Sequence, residues 1–270
     1  MGKYRYYLAL QTLLPDSYRG DREFIAKLET LKTYGFDGVE LNMSDPHTID
    51  PAELKQFLDG FGLTLSMFAT GFTAKKEGLS LASTDERHRM HSVKRAKEFL
   101  AFAREFGAGV IAGFLKGMAG ENSPGHRKAL ETSIAEVSEE AEKLKTPFLV
   151  EAINRFESPL GNSLDDTWDL VQKGTAGYTY ILPDTWHMNI EESNMEAAMV
   201  RHREHFISFH LSENNRYFPG YGALDFKRIV GILDACGYRG KLAIEGNLKQ
   251  GFAEDVATAI EVLQPILKRR

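Results

Sequence analysis

Short apolar runs of β type alternate with longer helical patterns from one end of the chain to the other, and this alternation limits the fold more than any other feature of the sequence. The runs fall at residues 6–12, 38–42, 63–69, 109–115, 147–152, 179–184, 206–211 and 241–245. Eight strand-helix units in 270 residues leave about 34 residues for each, enough for a strand, a helix and two ordinary connections. One repeated layout therefore accounts for the length as a single domain, residues 1–270, and no low-complexity tract or internal sequence repeat interrupts it.

The helical segments carry local signals. Residues 86–106 place Val93, Ala96, Leu100, Ala103 and Phe106 at three- to four-residue spacing among Arg and Lys, which predicts one buried stripe, and Gly107 predicts its end. Ser123-Pro124 reads as an N-cap and first turn, and Ser163-Leu164-Asp165-Asp166 resembles a capping box. Runs such as Phe148-Leu149-Val150 and Leu242-Ala243-Ile244 suit a parallel sheet covered by helices. An open doubly wound sheet serving a nucleotide would need a Gly-rich phosphate loop early in the chain, and neither G-x-G-x-x-G nor G-x-x-x-x-G-K-[ST] occurs. The expected fold is α/β, a closed (β/α)8 TIM barrel.

Barrels of this kind carry their reacting groups at the C-terminal ends of the strands, so the polar residue that follows each apolar run is the one to ask about. Glu151 follows Phe148-Leu149-Val150, Asp184 follows Tyr180-Ile181-Leu182-Pro183, His210 follows Phe206-Ile207-Ser208-Phe209, and Glu245 follows Leu242-Ala243-Ile244. Each lies about one strand-helix unit from the next, so four consecutive strands converge them on one mouth. Singly, an acidic residue after a strand is a helix cap or a loop acceptor; four together at unit spacing outweigh that reading. Three carboxylates crowded at a water-poor strand end repel one another unless a cation is present. Three oxygen donors with one imidazole and no thiolate favour Mn²⁺, Mg²⁺ or Co²⁺ over Zn²⁺.

Charge and cysteine content narrow the partners. With 33 Lys+Arg against 38 Asp+Glu the net charge is −5 and the basic residues are scattered, so the electrostatic footprint of a nucleic-acid binder is missing. The longest apolar stretches, such as residues 108–115, fall far short of the roughly 20 residues that cross a bilayer. Met1-Gly2-Lys3-Tyr4-Arg5-Tyr6 carries neither an apolar secretory core nor the Ser or Thr of a myristoylation signal, and Cys236 is the single cysteine; a cytoplasmic location is expected.

Further chemistry flanks the four residues: Glu157 beside Glu151, His187 beside Asp184, Arg216 beside His210. The stretches Glu151-Ala-Ile-Asn-Arg-Phe-Glu157, Asp184-Thr-Trp-His-Met-Asn-Ile-Glu-Glu192 and His210-Leu-Ser-Glu-Asn-Asn-Arg216-Tyr-Phe-Pro-Gly-Tyr-Gly222 resemble the D-tagatose 3-epimerase and D-psicose (allulose) 3-epimerase family of xylose-isomerase-like barrels. The resemblance implies that Glu151, Asp184, His210 and Glu245 bind a divalent metal, with Mn²⁺ first, and that Glu151 and Glu245 are the acid/base pair. It further implies that Glu157, His187 and Arg216 hold a sugar near its carbonyl, and that the chain assembles as a homodimer or homotetramer. The implied reaction is C3 epimerisation of free ketoses through a cis-enediolate, with aldose-ketose or hydroxypyruvate-type isomerisation as the alternative. A DNA-processing relative with a multi-zinc site would need further strand-end histidines, which Leu65-Ser66-Met67-Phe68-Ala69 does not supply. A sugar-binding barrel that had lost catalysis would have no need of both Glu151 and Glu245.

The resemblance departs at Gly246-Asn247, where the family more often has Pro and an aromatic residue, so the last loop is expected to differ in shape. Among other polar residues, Glu40 reads as a partner that orients a ligand, and Lys116 as an exposed loop lysine. His88 with His91, and His202 with His205, read as solvated pairs on helices. Cys236 reads as buried filler at the end of a helix spanning residues 226–236.

Overall fold

The computed structural model describes residues 3–117, 119–174 and 177–268. Among them the strands are β1 (Tyr7–Leu13), β2 (Gly38–Asn42), β3 (Thr64–Ala69), β4 (Gly109–Ala112), β5 (Phe148–Glu151), β6 (Thr179–Leu182), β7 (Ser208–Leu211) and β8 (Lys241–Ile244). The helices are α1 (Arg22–Tyr34), α2 (Pro51–Asp59), α3 (Gly71–Glu77), α4 (Glu86–Arg104), α5 (Pro124–Leu144), α6 (Leu164–Val171), α7 (Thr185–Glu191), α8 (Met195–Arg201), α9 (Phe226–Ala235) and α10 (Phe252–Leu267). Residues 109–115 do not form one strand: Gly113 breaks the run, and a 3₁₀ turn over Phe114–Lys116 follows.

All registered strand pairs are parallel, and the sheet runs β6-β5-β4-β3-β2-β1-β8-β7. Its two edges meet through Ile181 N to His205 O at 2.9 Å and His210 N to Pro183 O at 2.9 Å, with a bridge between Asp184 and His210. The sheet thus curves into a nearly closed barrel, and the closing seam brings Asp184 and His210 side by side. Because every strand points the same way, all C-terminal ends share one rim.

Two apolar layers follow from the two-residue period of the strands. Phe148 and Val150 of β5 belong to the large cluster between sheet and helices, whereas Leu149 joins Met67, Ala69, Ile111 and Leu182 in a smaller one. Glu151 shares the parity of Leu149, which places its carboxylate at the top of that inner layer. The outer layer is covered by one-sided helices. In α4, Val93, Ala96, Leu100 and Ala103 are all buried, the Asp85 carboxylate caps the His88 N–H, and Gly107 takes the left-handed conformation just beyond the end. Ser123 begins α5 with a reciprocal capping box to His126. Ser163 caps the Asp166 N–H, but the Asp166 carboxylate turns instead to the N–H groups of Gly161 and Asn162, so only half of the expected box forms. Cys236 is partly buried and follows α9 as its cap. No helix among the described residues is long and apolar enough to cross a membrane.

Candidate active site

The four strand-end residues come from four neighbouring strands. Glu151 is the last residue of β5; its carboxylate lies against Gly113, where a Cβ would stand 2.6 Å from Oε2. Asp184 sits just past β6 as the N-cap of α7, so Oδ1 accepts from Trp186 N at 2.7 Å and His187 N at 3.3 Å and Oδ2 is left to face inward. His210 lies within β7, and Glu245 directly follows β8. One ligand atom from each of Glu151, Asp184, His210 and Glu245 lies within 4.8 Å of all the others.

These atoms face one another without satisfying one another. His210 Nδ1 is 3.7 Å from Glu151 Oε1, 3.8 Å from Asp184 Oδ2 and 2.6 Å from Glu245 Oε2. Glu151 Oε1, His210 Nδ1 and Glu245 Oε2 are nevertheless buried polar atoms without a hydrogen bond of acceptable geometry. Three such orphans pointed at one spot are costly in a protein interior, and a cation at that spot supplies the missing partner for all of them. The donor set therefore fits a hard or borderline divalent metal. Beneath it, His210 Nε2 is 2.9 Å from Glu40 Oε2, both side chains fully buried, so Glu40 is the orienting partner that the sequence suggested.

Arg216 closes the site from above. One guanidinium nitrogen donates to Asp184 Oδ2 at 2.7 Å, another to Glu245 Oε1 at 2.6 Å, and the plane lies over the Trp186 ring at 4.6 Å. The Arg216 backbone adopts φ +64°, and its carbonyl accepts from Asn247 N at 2.7 Å. Gly246 makes that approach feasible: a Cβ there would stand 2.8 Å from Arg216 O. The departure at Gly246-Asn247 thus has a local cause in the loop that carries Arg216.

His187 and Glu157 complete the ring of polar groups. The Asn154 backbone N–H donates to His187 Nδ1 at 3.1 Å, with Asn154 Nδ2 at 2.8 Å from the same atom, so the ring proton resides on Nε2, which faces Glu151 Oε1 at 3.9 Å. Burial lowers His187 to about 4, making it a neutral donor near pH 7. Glu157 is half-buried, and its carboxyl is raised by burial against the opposing pull of Arg216 and Lys75. Glu151 is raised to about 8 by burial and by the Glu245 charge. Burial works to raise Glu245 as well, but Arg216 and His210 outweigh it and hold that carboxyl well below the usual range. A cation at the site favours the ionised form of Glu151.

A cavity of about 370 Å³ opens above these groups, lined by Glu151, Glu157, His187, Arg216 and Glu245 from one side and by Gln11, Asn42, Lys75 and Phe114 from the other. Of the second group, Gln11, Asn42 and Lys75 were not read from the sequence. Asn42 ends β2 just as Glu151 ends β5, so the strand-end rule would have found it; it donates to Gln11 Oε1 at 2.9 Å. Lys75 rests on the Phe114 ring at 3.5 Å and had no signal beyond its charge. Phe68 is core, edge-on to Phe99.

Two expectations are corrected here. Lys116 is fully buried, not an exposed loop lysine: Nζ donates to the carbonyls of Glu151 at 2.8 Å and Gly161 at 2.9 Å, and burial lowers it to about 7. His202 is also buried, with Nε2 2.7 Å from Asp165 Oδ1, while His205 stacks on Trp168 at 3.6 Å; neither is a solvated pair member.

A barrel with convergent acidic and imidazole groups on its C-terminal rim defines a class, and the profile of the xylose isomerase-like TIM barrel family matches residues 28–266; the chain belongs to that family. A 3-dehydro-D-guloside 4-epimerase of Escherichia coli (strain K12) is 27% identical over 245 residues, 87% of this chain and 90% of that one. An L-ribulose 3-epimerase of Mesorhizobium japonicum is 30% identical over 232 residues, 81% of this chain and 73% of that one. Such relatives place the protein among enzymes, in the isomerase class. In structure it is similar to a D-allulose 3-epimerase from Methylomonas sp., with TM-score 0.84, 20% identity and coverage of 98% and 99% of the two chains, a likeness of fold.

Proposed function

We propose that the protein is a metal-dependent ketose 3-epimerase, which exchanges the configuration at the carbon next to the ketone of a free sugar. The observation that carries this reading is the trio of mutually facing buried atoms, Glu151 Oε1, His210 Nδ1 and Glu245 Oε2, that make no well-formed hydrogen bond at the floor of a sugar-sized cavity. A divalent cation held by Glu151, Asp184, His210 and Glu245, with Mn²⁺ first, supplies the positive charge that stabilises an enediolate.

The remaining chemistry belongs to the chain. Inversion next to a ketone needs a base on one face of the carbon and an acid on the other, and Glu151 and Glu245 arrive from different strands at the same cavity. Glu157, His187 and Arg216 are positioned to grip the sugar near its carbonyl: His187 as a neutral Nε2–H donor, Arg216 as a fixed cation and Glu157 as an acceptor of hydroxyl protons.

A second reading has its own support in the Escherichia coli relative, whose name places epimerisation at C4 of a sugar oxidised at C3. The chemistry is the same, since that carbon also adjoins a ketone; only the substrate differs. Incubating the Mn²⁺-loaded protein with D-fructose, D-psicose, D-tagatose, L-ribulose and a methyl 3-keto-hexoside, then identifying products by ¹³C NMR, decides between them. C3 epimers of the ketoses support the first reading, and a C4 epimer of the glycoside alone supports the second. An aldose product would replace both with aldose-ketose isomerisation.

A further inference from the structure

We propose that Lys116 is a positioning residue: its ammonium clasps both ends of the segment that runs from Glu151 to Gly161, and so fixes the Glu151 carboxylate at the metal site and Glu157 over the cavity. The inference rests on the metal reading above and adds to it a group outside the cavity.

The geometry is unusual for a lysine. The side chain is wholly buried, and its two partners are backbone carbonyls, Glu151 O at 2.8 Å and Gly161 O at 2.9 Å. Removing an ammonium from water costs several kcal/mol in general, so a lysine buried against two neutral dipoles persists only where the surroundings require it. Those carbonyls are the two ends of one loop. Gly161 O also accepts from Ile153 N at 3.2 Å, so the loop is pinched shut at its base by a backbone bond and a cation together. Gly161 has φ +64°, a conformation that disfavours side chains, and a Cβ there would crowd Lys116 Nζ at 3.2 Å, so glycine suits the close approach.

What the loop carries explains why its base should be fixed. Asn154 sets the His187 tautomer from within it, and Glu157 lines the cavity. Lys116 itself lies in the 3₁₀ turn after β4, so the clasp ties the end of β4 to the end of β5 on the rim where the site lies. An apolar residue of equal length would remove the ammonium from both carbonyls and leave Gly161 O with the Ile153 N–H alone.

The test is Lys116→Met, which keeps the length and removes the donors, with Leu28→Ala as a control that destabilises the protein from the buried face of α1, the helix between β1 and β2. Mn²⁺ affinity by calorimetric titration is expected to fall about 10- to 100-fold in Lys116→Met, the range seen when a group supporting a metal ligand is lost, and to stay at the wild-type value in Leu28→Ala. Amide hydrogen exchange across residues 152–161 is expected to accelerate in Lys116→Met only. Wild-type affinity together with wild-type exchange in Lys116→Met overturns the proposal, as does an equal loss in Leu28→Ala. If Lys116→Met does not fold, Lys116→Gln, whose shorter amide cannot hold both carbonyls as the ammonium does, decides: an affinity below wild type with faster exchange across residues 152–161 supports the clasp, and wild-type values of both overturn it. A wild-type protein that binds no Mn²⁺ would sink the functional reading, while exchange in the variant still decides whether Lys116 holds the loop.

Discussion

Glu40 Oε2 lies 2.9 Å from His210 Nε2, and both side chains are shut off from solvent. With Nε2 turned to Glu40, Nδ1 is the ring nitrogen that faces Glu151, Asp184 and Glu245. A carboxylate under an imidazole also raises its basicity as a ligand. Glu40→Gln is therefore expected to weaken Mn²⁺ binding by about 10-fold or more with the fold intact, measured by calorimetric titration. Unchanged affinity would remove Glu40 from this role.

Glu245→Gln should retain weakened metal binding while kcat for epimer formation drops about 10²- to 10⁴-fold, the usual worth of a positioned proton-transfer group. Glu151→Gln should behave alike. Turnover equal to wild type in either variant would remove that residue from the acid/base pair.

His187 gives a pH signature. Its folded value near 4 is depressed from the ordinary 6.5, so between those pH values the unfolded chain binds more protons than the folded one. The stability contributed by neutral His187 is fully present above about pH 6.5 and is lost as pH falls toward 4, with a full span of about 3 kcal/mol. Urea unfolding at pH 7.5 and pH 5 should show a larger loss in wild type than in His187→Gln. Equal losses would contradict the buried neutral imidazole.

Gly246→Ala drives a Cβ to 2.8 Å from the Arg216 carbonyl, a backbone atom that can yield only if the Arg216 loop moves. A destabilisation of about 1–3 kcal/mol is expected, with a raised KM because Arg216 shifts with its loop. Denaturant unfolding and steady-state kinetics on the one variant check both.

Much of this was legible in the sequence, for reasons that differ between the two halves of the barrel. Glu151, Asp184, His210 and Glu245 each follow an apolar run, so an ionisable residue marks the rim at β5 through β8. At β1 to β3 the cavity is lined by neutral Gln11 and Asn42 and by Lys75 of a short helix, residue types that are common on any loop. Lys116 was misread because its burial depends on a carbonyl 45 residues further along the chain, and His202 because Asp165 is 37 residues before it. The paired geometry of Ser163 and Asp166 failed for a similar reason, since Asp166 is drawn away by the loop that ends at Gly161. Local pattern reports what a segment prefers; these side chains answer to partners brought in by the barrel.

Metal removal has a thermodynamic consequence as well. Without a cation, the Glu151, Asp184 and Glu245 carboxylates lie within reach of one another, and Mn²⁺ at 100 times its Kd should stabilise the fold by about 2.7 kcal/mol. A melting midpoint that does not respond to Mn²⁺ or to a chelator would count against the site.

The central claim is proton exchange at the carbon beside the ketone, and deuterium reads it directly. The Mn²⁺-loaded protein is incubated with D-psicose in D₂O, and the label is located by NMR in both the recovered sugar and the product. The account predicts one deuterium at C3, with formation of the C3 epimer. Label confined to C1 or C2 with an aldose product would contradict it.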